Sequence, residues 1–187
     1  MFESSWFHGT RSNDDIEEFL AMSHFGDLDT AKMTCANKKY KDKVQGDAWI
    51  IEVSLNLKSE EVLAFKDIGS PNAIAFAYYL LDSKEKYNFS KDFIADLTDA
   101  WKQEKSKKAQ IARHNYGEKE KAEARKEVSK ILVKHGYKAY SYVNDVESNN
   151  KAISVCIFDP SVVDILTRKK LSEEEALLFW NKSKRNT

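Results

Sequence analysis

Two β-type runs close this chain: His135-Gly136-Tyr137-Lys138-Ala139-Tyr140-Ser141-Tyr142-Val143-Asn144-Asp145-Val146-Glu147 and, further on, Ile153-Ser154-Val155-Cys156-Ile157-Phe158-Asp159-Pro160. Aromatic and β-branched residues fill both, and a polar, Asn-rich segment separates them. The pattern predicts a hairpin of strands over 138–146 and 153–158, ended by Asp159-Pro160. Downstream, Ser172-Glu173-Glu174-Glu175 reads as the cap of a terminal helix carrying Leu177, Leu178 and Trp180. No element is assigned between Pro160 and Ser172. Upstream, Ala48-Trp49-Ile50-Ile51-Glu52-Val53-Ser54-Leu55 is the strongest strand signal in the chain. Ser5 to Thr10 predicts a strand ending at Gly9, and Val62 to Phe65 a short one. A cap-rich Ser12-Asn13-Asp14 predicts a helix over Asp15 to Met22, and Asp29 a second over Thr30 to Asn37.

The middle of the chain differs. Ser70-Pro71-Asn72 opens a helix carrying Ile74, Phe76, Ala77, Leu80 and Leu81, and helical spacing recurs at Phe93, Ile94, Leu97, Ala100 and Trp101. Residues 102–134 hold eleven Lys/Arg against five Glu. That composition fits a solvated face laced with i,i+4 ion pairs or a contact surface for an acidic partner. Trp101 and Tyr116 are the aromatic residues available to stack on bases along this stretch. The whole pattern is α+β.

Composition narrows the function. The 187 residues balance 30 Lys+Arg against 30 Asp+Glu, which removes the bulk-charge argument for nucleic-acid binding. The longest apolar stretch, Ala73 to Leu81, is too short to span a bilayer, so no membrane association is expected. No charged segment followed by an apolar one opens the sequence. Cys35 and Cys156 form neither a disulfide framework nor a metal spacing, and a cytoplasmic location is expected. There is no glycine-rich dinucleotide fingerprint, no P-loop and no zinc motif, so no metal is expected. His8, His24, His114 and His135 lack the local signatures of a nucleophilic triad.

Two groups of residues carry a family likeness. The first is Trp6-Phe7-His8-Gly9-Thr10, followed by Ser23-His24-Phe25-Gly26-Asp27 and Thr30-Ala31. The second is the closing hairpin from His135 to Pro160. Together, around a central strand such as Trp49 to Leu55, they resemble the opening and closing motifs of the ADP-ribosyltransferase superfamily, in its histidine-bearing branch of diphtheria-toxin-like and poly-ADP-ribose-polymerase-like enzymes. Within that branch they are most similar to small domains of phages and bacterial mobile elements. The likeness covers residues 5–55 and 135–165. It implies a single domain over 1–187, with a split β-sheet core and a mainly helical insertion at about 71–134.

The resemblance also implies roles. His8 would hydrogen-bond a ribose hydroxyl of NAD, Gly9 would present its backbone to the nicotinamide carboxamide, and Thr10 would support the turn. His24 and Phe25 stand where the family often has a Tyr-Phe pair, one ring of which stacks on nicotinamide; a further family aromatic is replaced by Met33. Glu147, ending the Tyr142-x-Asn144-x-x-Glu147 pattern, is the candidate catalytic carboxylate, with Asp145 as the alternative. Strand alternation places Asn144 and Glu147 on opposite faces, so both reach one site only if the strand bulges or has ended. In the polymerase-like relatives the glutamate opens the following strand, where this chain has Ser154. Tyr142 would floor the cleft, and Arg11 would meet a pyrophosphate or lie on the surface. The implied activity is mono-ADP-ribosyl transfer from NAD to a macromolecular acceptor, a protein side chain ahead of a nucleic-acid base, contacted through the basic stretch 102–134. A binding protein on the same scaffold without catalysis is the rival reading, and hydrolysis of NAD is a third.

Overall fold

The computed structural model describes residues 5–68, 72–111, 115–145 and 152–183. In chain order the elements are β1 (Trp6–Ser12), β2 (His24–Phe25), α1 (Leu28–Tyr40), β3 (Asp47–Leu55), β4 (Val62–Ala64), α2 (Ala73–Asp82), α3 (Lys84–Tyr87), α4 (Lys91–Gln110), α5 (Glu118–Lys134), β5 (Ala139–Val143), β6 (Ile153–Ile157), β7 (Val163–Leu171) and α6 (Glu173–Ser183). Short 3-10 turns at Ser59–Glu61 and Pro160–Val162 lead into β4 and β7. The architecture is mixed α and β with two sheets. The chain forms two compact units, residues 1–67 with 139–187, and residues 68–138.

The first unit holds both sheets. One has the order β1-β3-β7, the other β2-β6-β5-β4. β3 is central in the first because both its faces are apolar. Ala48 and Ile50 pack with Ala31 and Cys35 of α1, Leu171 of β7 and Ala176 of α6. Ile51, Val53 and Leu55 face the other way, into a core shared with Trp6, Phe25, Val155 and Ile157. That core lies between the two sheets, and burial of its apolar area is the main source of cohesion. β5 and β6 pair antiparallel, Ala139 opposite Ile157 and Val143 opposite Ile153, whereas β4 runs parallel to β5.

β1 and β2, each at an edge, are joined by one bridge. The Phe7 N–H donates to the Gly26 carbonyl at 2.9 Å and the Gly26 N–H to the Phe7 carbonyl at 3.0 Å. Asp27 follows at once and caps α1, its carboxylate accepting the Thr30 N–H at 2.7 Å. The cap is thus Asp27 rather than the expected Asp29. Arg11 is buried: its guanidinium donates to the carbonyls of Cys35 and Gly46 and to the Glu173 carboxylate. It locks β1 to α1 and α6, so it is neither a surface arginine nor directed at a pyrophosphate. Glu173, held between Arg11 and Lys39, has its pKa lowered to about 2 by those hydrogen bonds.

The structure corrects four other expectations. No helix forms over Asp15 to Met22. Phe19 is buried, Met22 takes a left-handed φ of 66°, and the Met22 N–H donates to the Ile157 carbonyl at 2.7 Å. Tertiary pairing there overrides the local cap signal. β7, assigned to nothing, is a nine-residue edge strand along β3. The strand through Gly9 continues to Ser12, and β5 ends at Val143 instead of 146.

Among its described residues the second unit has helices as its only regular elements, joined by short turns. Asn72 caps α2, its side chain accepting the Ala75 N–H at 2.8 Å; Ser70 and Pro71 lie outside the described residues. Ser90 caps α4 in the same way. Phe76, Leu80, Phe93, Leu97, Val128 and Leu132 are buried. Asp96 on α4 accepts from Lys134 and His135 at the end of α5, each at 2.7 Å.

Gly9 shows how closely α1 sits on the sheet. A Cβ on Gly9 would lie 1.9 Å from the Ala31 carbonyl oxygen, a backbone atom that moves only with the helix. Gly9→Ala is expected to lower stability by about 1–3 kcal/mol or more through overpacking, read as a drop in urea midpoint at unchanged m-value.

Candidate functional site

The site grows from β1, where backbone alternation separates neighbours. Phe7 joins the α1–α6 side, and His8 turns to the other face, among Phe19 and Phe25. The His8 ring meets Phe19 edge-on at a centroid distance of 5.1 Å and Phe25 at 5.7 Å. Its Nδ1 lies 2.7 Å from the His24 carbonyl oxygen. A carbonyl only accepts, so Nδ1 carries the proton and Nε2 is left as an acceptor. Burial lowers the His8 pKa to about 4, so the ring is neutral near pH 7.

His24 is the second imidazole. Its Nδ1 shares a hydrogen bond of 2.8 Å with the Tyr142 hydroxyl, and its ring packs edge-on against Tyr140 and Tyr142. Burial lowers its pKa to about 4 as well, opposed by the charge of Asp67. His24 is therefore oriented by a partner on β5, while Phe25 is 1% exposed and serves the core. Tyr142 is buried against Tyr140, whose ring stacks on it at 5.3 Å.

Gly9 and Thr10 are fixed by the scaffold. Gly9 gives α1 its close approach. Thr10 is buried, and its hydroxyl accepts a hydrogen bond of 2.9 Å from Lys38. The Lys38 ammonium also acts electrostatically on His8, and burial lowers its own pKa. Among the described residues it is the cation that reaches His8. In the sequence it is one of several lysines near the end of a helix, and nothing local distinguishes it.

The carboxylate positions fall at the end of β5. Asn144 is buried, and its amide donates to the Ser154 hydroxyl at 3.1 Å. Ser154, at the start of β6, is likewise buried and would sit 3.0 Å from a Cβ on Gly26. Asp145 is exposed, and its N–H donates to the Asp67 carboxylate at 3.2 Å. Glu147 lies outside the described residues. Asp67, beyond β4, is thus a carboxylate that reaches both Asp145 and the field of His24; no motif signals it, because only the parallel β4–β5 pairing brings it there.

The structure brings together His8, His24, Phe25, Tyr142, Asn144 and Ser154 across β1, β2, β5 and β6, with Lys38 and Asp67 beside them. Such an arrangement offers one neutral imidazole acceptor, one cation and a carboxylate, a set suited to a ligand with hydroxyl and phosphate groups. Cys35 and Cys156 are free but buried, and burial pushes the Cys35 thiol up to about 11, so it is no nucleophile. Among the described residues, no group of three or more His, Cys, Asp or Glu side chains could hold a metal, and no helix is long and apolar enough to cross a membrane.

Comparison with known proteins finds no matching family model, no matching curated protein and no matching solved structure.

The two buried imidazoles carry a pH signature. Their folded pKa values lie below the unfolded value, so between pH 6.5 and about 4 the unfolded chain binds more protons. The stability linked to these two groups is therefore fully present above pH 6.5 and is lost as the pH drops toward 4, each histidine contributing up to about 1.4 kcal/mol per pH unit. Urea unfolding at pH 7 and pH 4.5 measures this, and His24→Gln is expected to flatten the slope.

Proposed function

We propose that this chain is a mono-ADP-ribosyltransferase on an ADP-ribosyltransferase-like split-sheet scaffold, binding NAD as its substrate and moving ADP-ribose to a macromolecular acceptor. A phage or mobile-element setting, with a host or defence protein as acceptor, fits that activity. The observation that supports the reading best is His8. It sits in the Trp6-to-Thr10 motif, its tautomer is fixed by the His24 carbonyl, and its neutral Nε2 can accept from a ribose hydroxyl.

The remaining roles follow from chemistry. In the reaction the bond between nicotinamide and ribose breaks, nicotinamide leaves with the electron pair, and an acceptor nucleophile attacks the ribose carbon and loses its proton. Positive charge develops on the sugar, which a fixed carboxylate stabilises. Glu147 is assigned that role, with Asp145 as the alternative and Asp67 as a third carboxylate near His24. Lys38, held at Thr10, would neutralise a phosphate. His24 would line the nicotinamide end, positioned by Tyr142.

One observation favours a second reading. Where polymerase-like relatives have a glutamate opening the second hairpin strand, this chain buries Ser154 against Asn144. A protein that holds NAD or ADP-ribose without cleaving it would have this substitution.

Purified protein incubated with labelled NAD and a cell lysate tests both. Label transfer to a macromolecule is expected, falling by roughly 100-fold or more in Glu147→Gln and in His8→Gln. Transfer that survives Glu147→Gln but is lost in Asp67→Asn reassigns the carboxylate. NAD binding without turnover supports the second reading, and nicotinamide release without transfer indicates hydrolysis. Neither binding nor turnover in the wild type overturns the NAD assignment.

A further inference from the structure

The helical unit has a cavity of about 950 Å³ whose lining combines aromatic faces with lysines and, among the described residues, contains no carboxylate. Tyr78 comes from α2, Trp101, Lys105 and Lys108 from α4, and Tyr116 and Lys121 from the approach to α5 and its first turn. The Tyr78 and Trp101 ring centroids are 6.0 Å apart. The Lys105 ammonium lies 4.7 Å from the Trp101 ring centroid, and that of Lys108 lies 5.6 Å from the Tyr116 ring centroid. Among the described residues neither lysine has a carboxylate partner, whereas Lys121 is paired with Glu118. The buried Glu104, whose charge reaches Tyr116, is already held by Lys107.

These features exclude the simplest account of the basic stretch. A solvated helix face laced with ion pairs would match its lysines to glutamates, as Lys121, Lys107 and Lys130 do. Lys105 and Lys108 instead flank aromatic rings. The sequence offers only Trp101 and Tyr116 along this stretch; the fold adds Tyr78, 48% exposed, from another helix. An acidic peptide would use the lysines, which already cover one face of Trp101 and of Tyr116, and leave the exposed Tyr78 ring unmatched. A ligand with both a planar ring and a negative group uses all of them, since bases stack on aromatic side chains and phosphates pair with lysine. The volume lies at the upper end of the range for small-ligand pockets and has room for one nucleotide unit.

We infer that this cavity binds a nucleotide unit, as a free nucleotide or within single-stranded nucleic acid, with the base against Trp101 and Tyr78 and the phosphate on Lys105 and Lys108. Base-paired duplex is excluded by this chemistry, because its base faces are already stacked. The cavity shares no residue with the NAD-binding set around His8, although it lies in the basic stretch 102–134 expected to contact the acceptor.

Fluorescence anisotropy of a labelled oligo(dA) of about 12 nucleotides tests the inference. Binding that weakens as salt rises is expected. Trp101→Ala should weaken it roughly tenfold, and Lys105→Glu with Lys108→Glu should weaken it at least as much and reduce the salt slope. Circular dichroism of each variant identifies any that fails to fold, and the charge-reversed pair leaves the aromatic packing in place should Trp101→Ala do so. Lys91→Glu, at the far end of α4, should leave binding unchanged. Competition by ADP at similar concentration identifies a free-nucleotide site; binding of the oligonucleotide without ADP competition identifies a single-strand site. The inference is overturned if neither ligand binds, if folded variants bind as the wild type does, or if duplex DNA or poly-glutamate competes as well as the single strand. The anisotropy readout needs neither NAD nor turnover, so failure here and failure of NAD turnover are separate results.

Discussion

The paired hydrogen bonds between Phe7 and Gly26 set the geometry of the sheet-bearing unit. They join the edge strand of one sheet to the edge strand of the other, and they do so where no side chain fits. A Cβ on Gly26 would lie within 3.0 Å of both Thr30 and Ser154. The bridge fixes which way β1 faces: Phe7 goes to the helices, and His8 turns to Phe19 and Phe25. It also delivers Asp27 to the start of α1, whose cap then holds the helix close enough to require glycine at position 9. Strand direction, helix entry and imidazole placement are one linked constraint.

The chemistry of the site follows from how dry it is. Two imidazoles sit where protonation is disfavoured, and each is oriented by a hydrogen bond from a different strand. A neutral, tautomer-fixed ring is a directional acceptor rather than a diffuse charge. The charged groups, Lys38 and Asp67, come from elements distant in sequence. The buried Asn144 amide donates to the buried Ser154 hydroxyl, so this place is polar but carries no charge.

Legibility in the sequence tracked the range of the interactions. β3 was readable because its run of β-branched and aromatic residues is apolar on both faces, and the hairpin was readable as two such runs about a polar segment. The caps at Asn72 and Ser172 were readable because the bonds they make span three residues. Residues 15–22 misled because a local cap signal lost to the burial of Phe19 and the backbone pairing of Met22 with β6. β7 was silent because Thr167-Arg168-Lys169-Lys170 is an exposed edge, a strand only because β3 offers it a ladder. In the site, His8 and His24 carried motif signals, but Lys38 and Asp67 did not, since a lone lysine or aspartate gains meaning only from the fold that surrounds it.

The parallel pairing of β4 with β5 has a kinetic consequence. Val62 lies beside Ala139, and every residue between these two short strands forms one closed loop. Three registered residue pairs are a small return for ordering so long a span, and an unstructured span would make that closure slow. The helices between them have caps, ion pairs and an aromatic core of their own, all made by contacts nearer in sequence. Helix formation between the two strands would therefore shorten the effective loop before the strands meet, so that the order of assembly runs from these helices to the sheet edge.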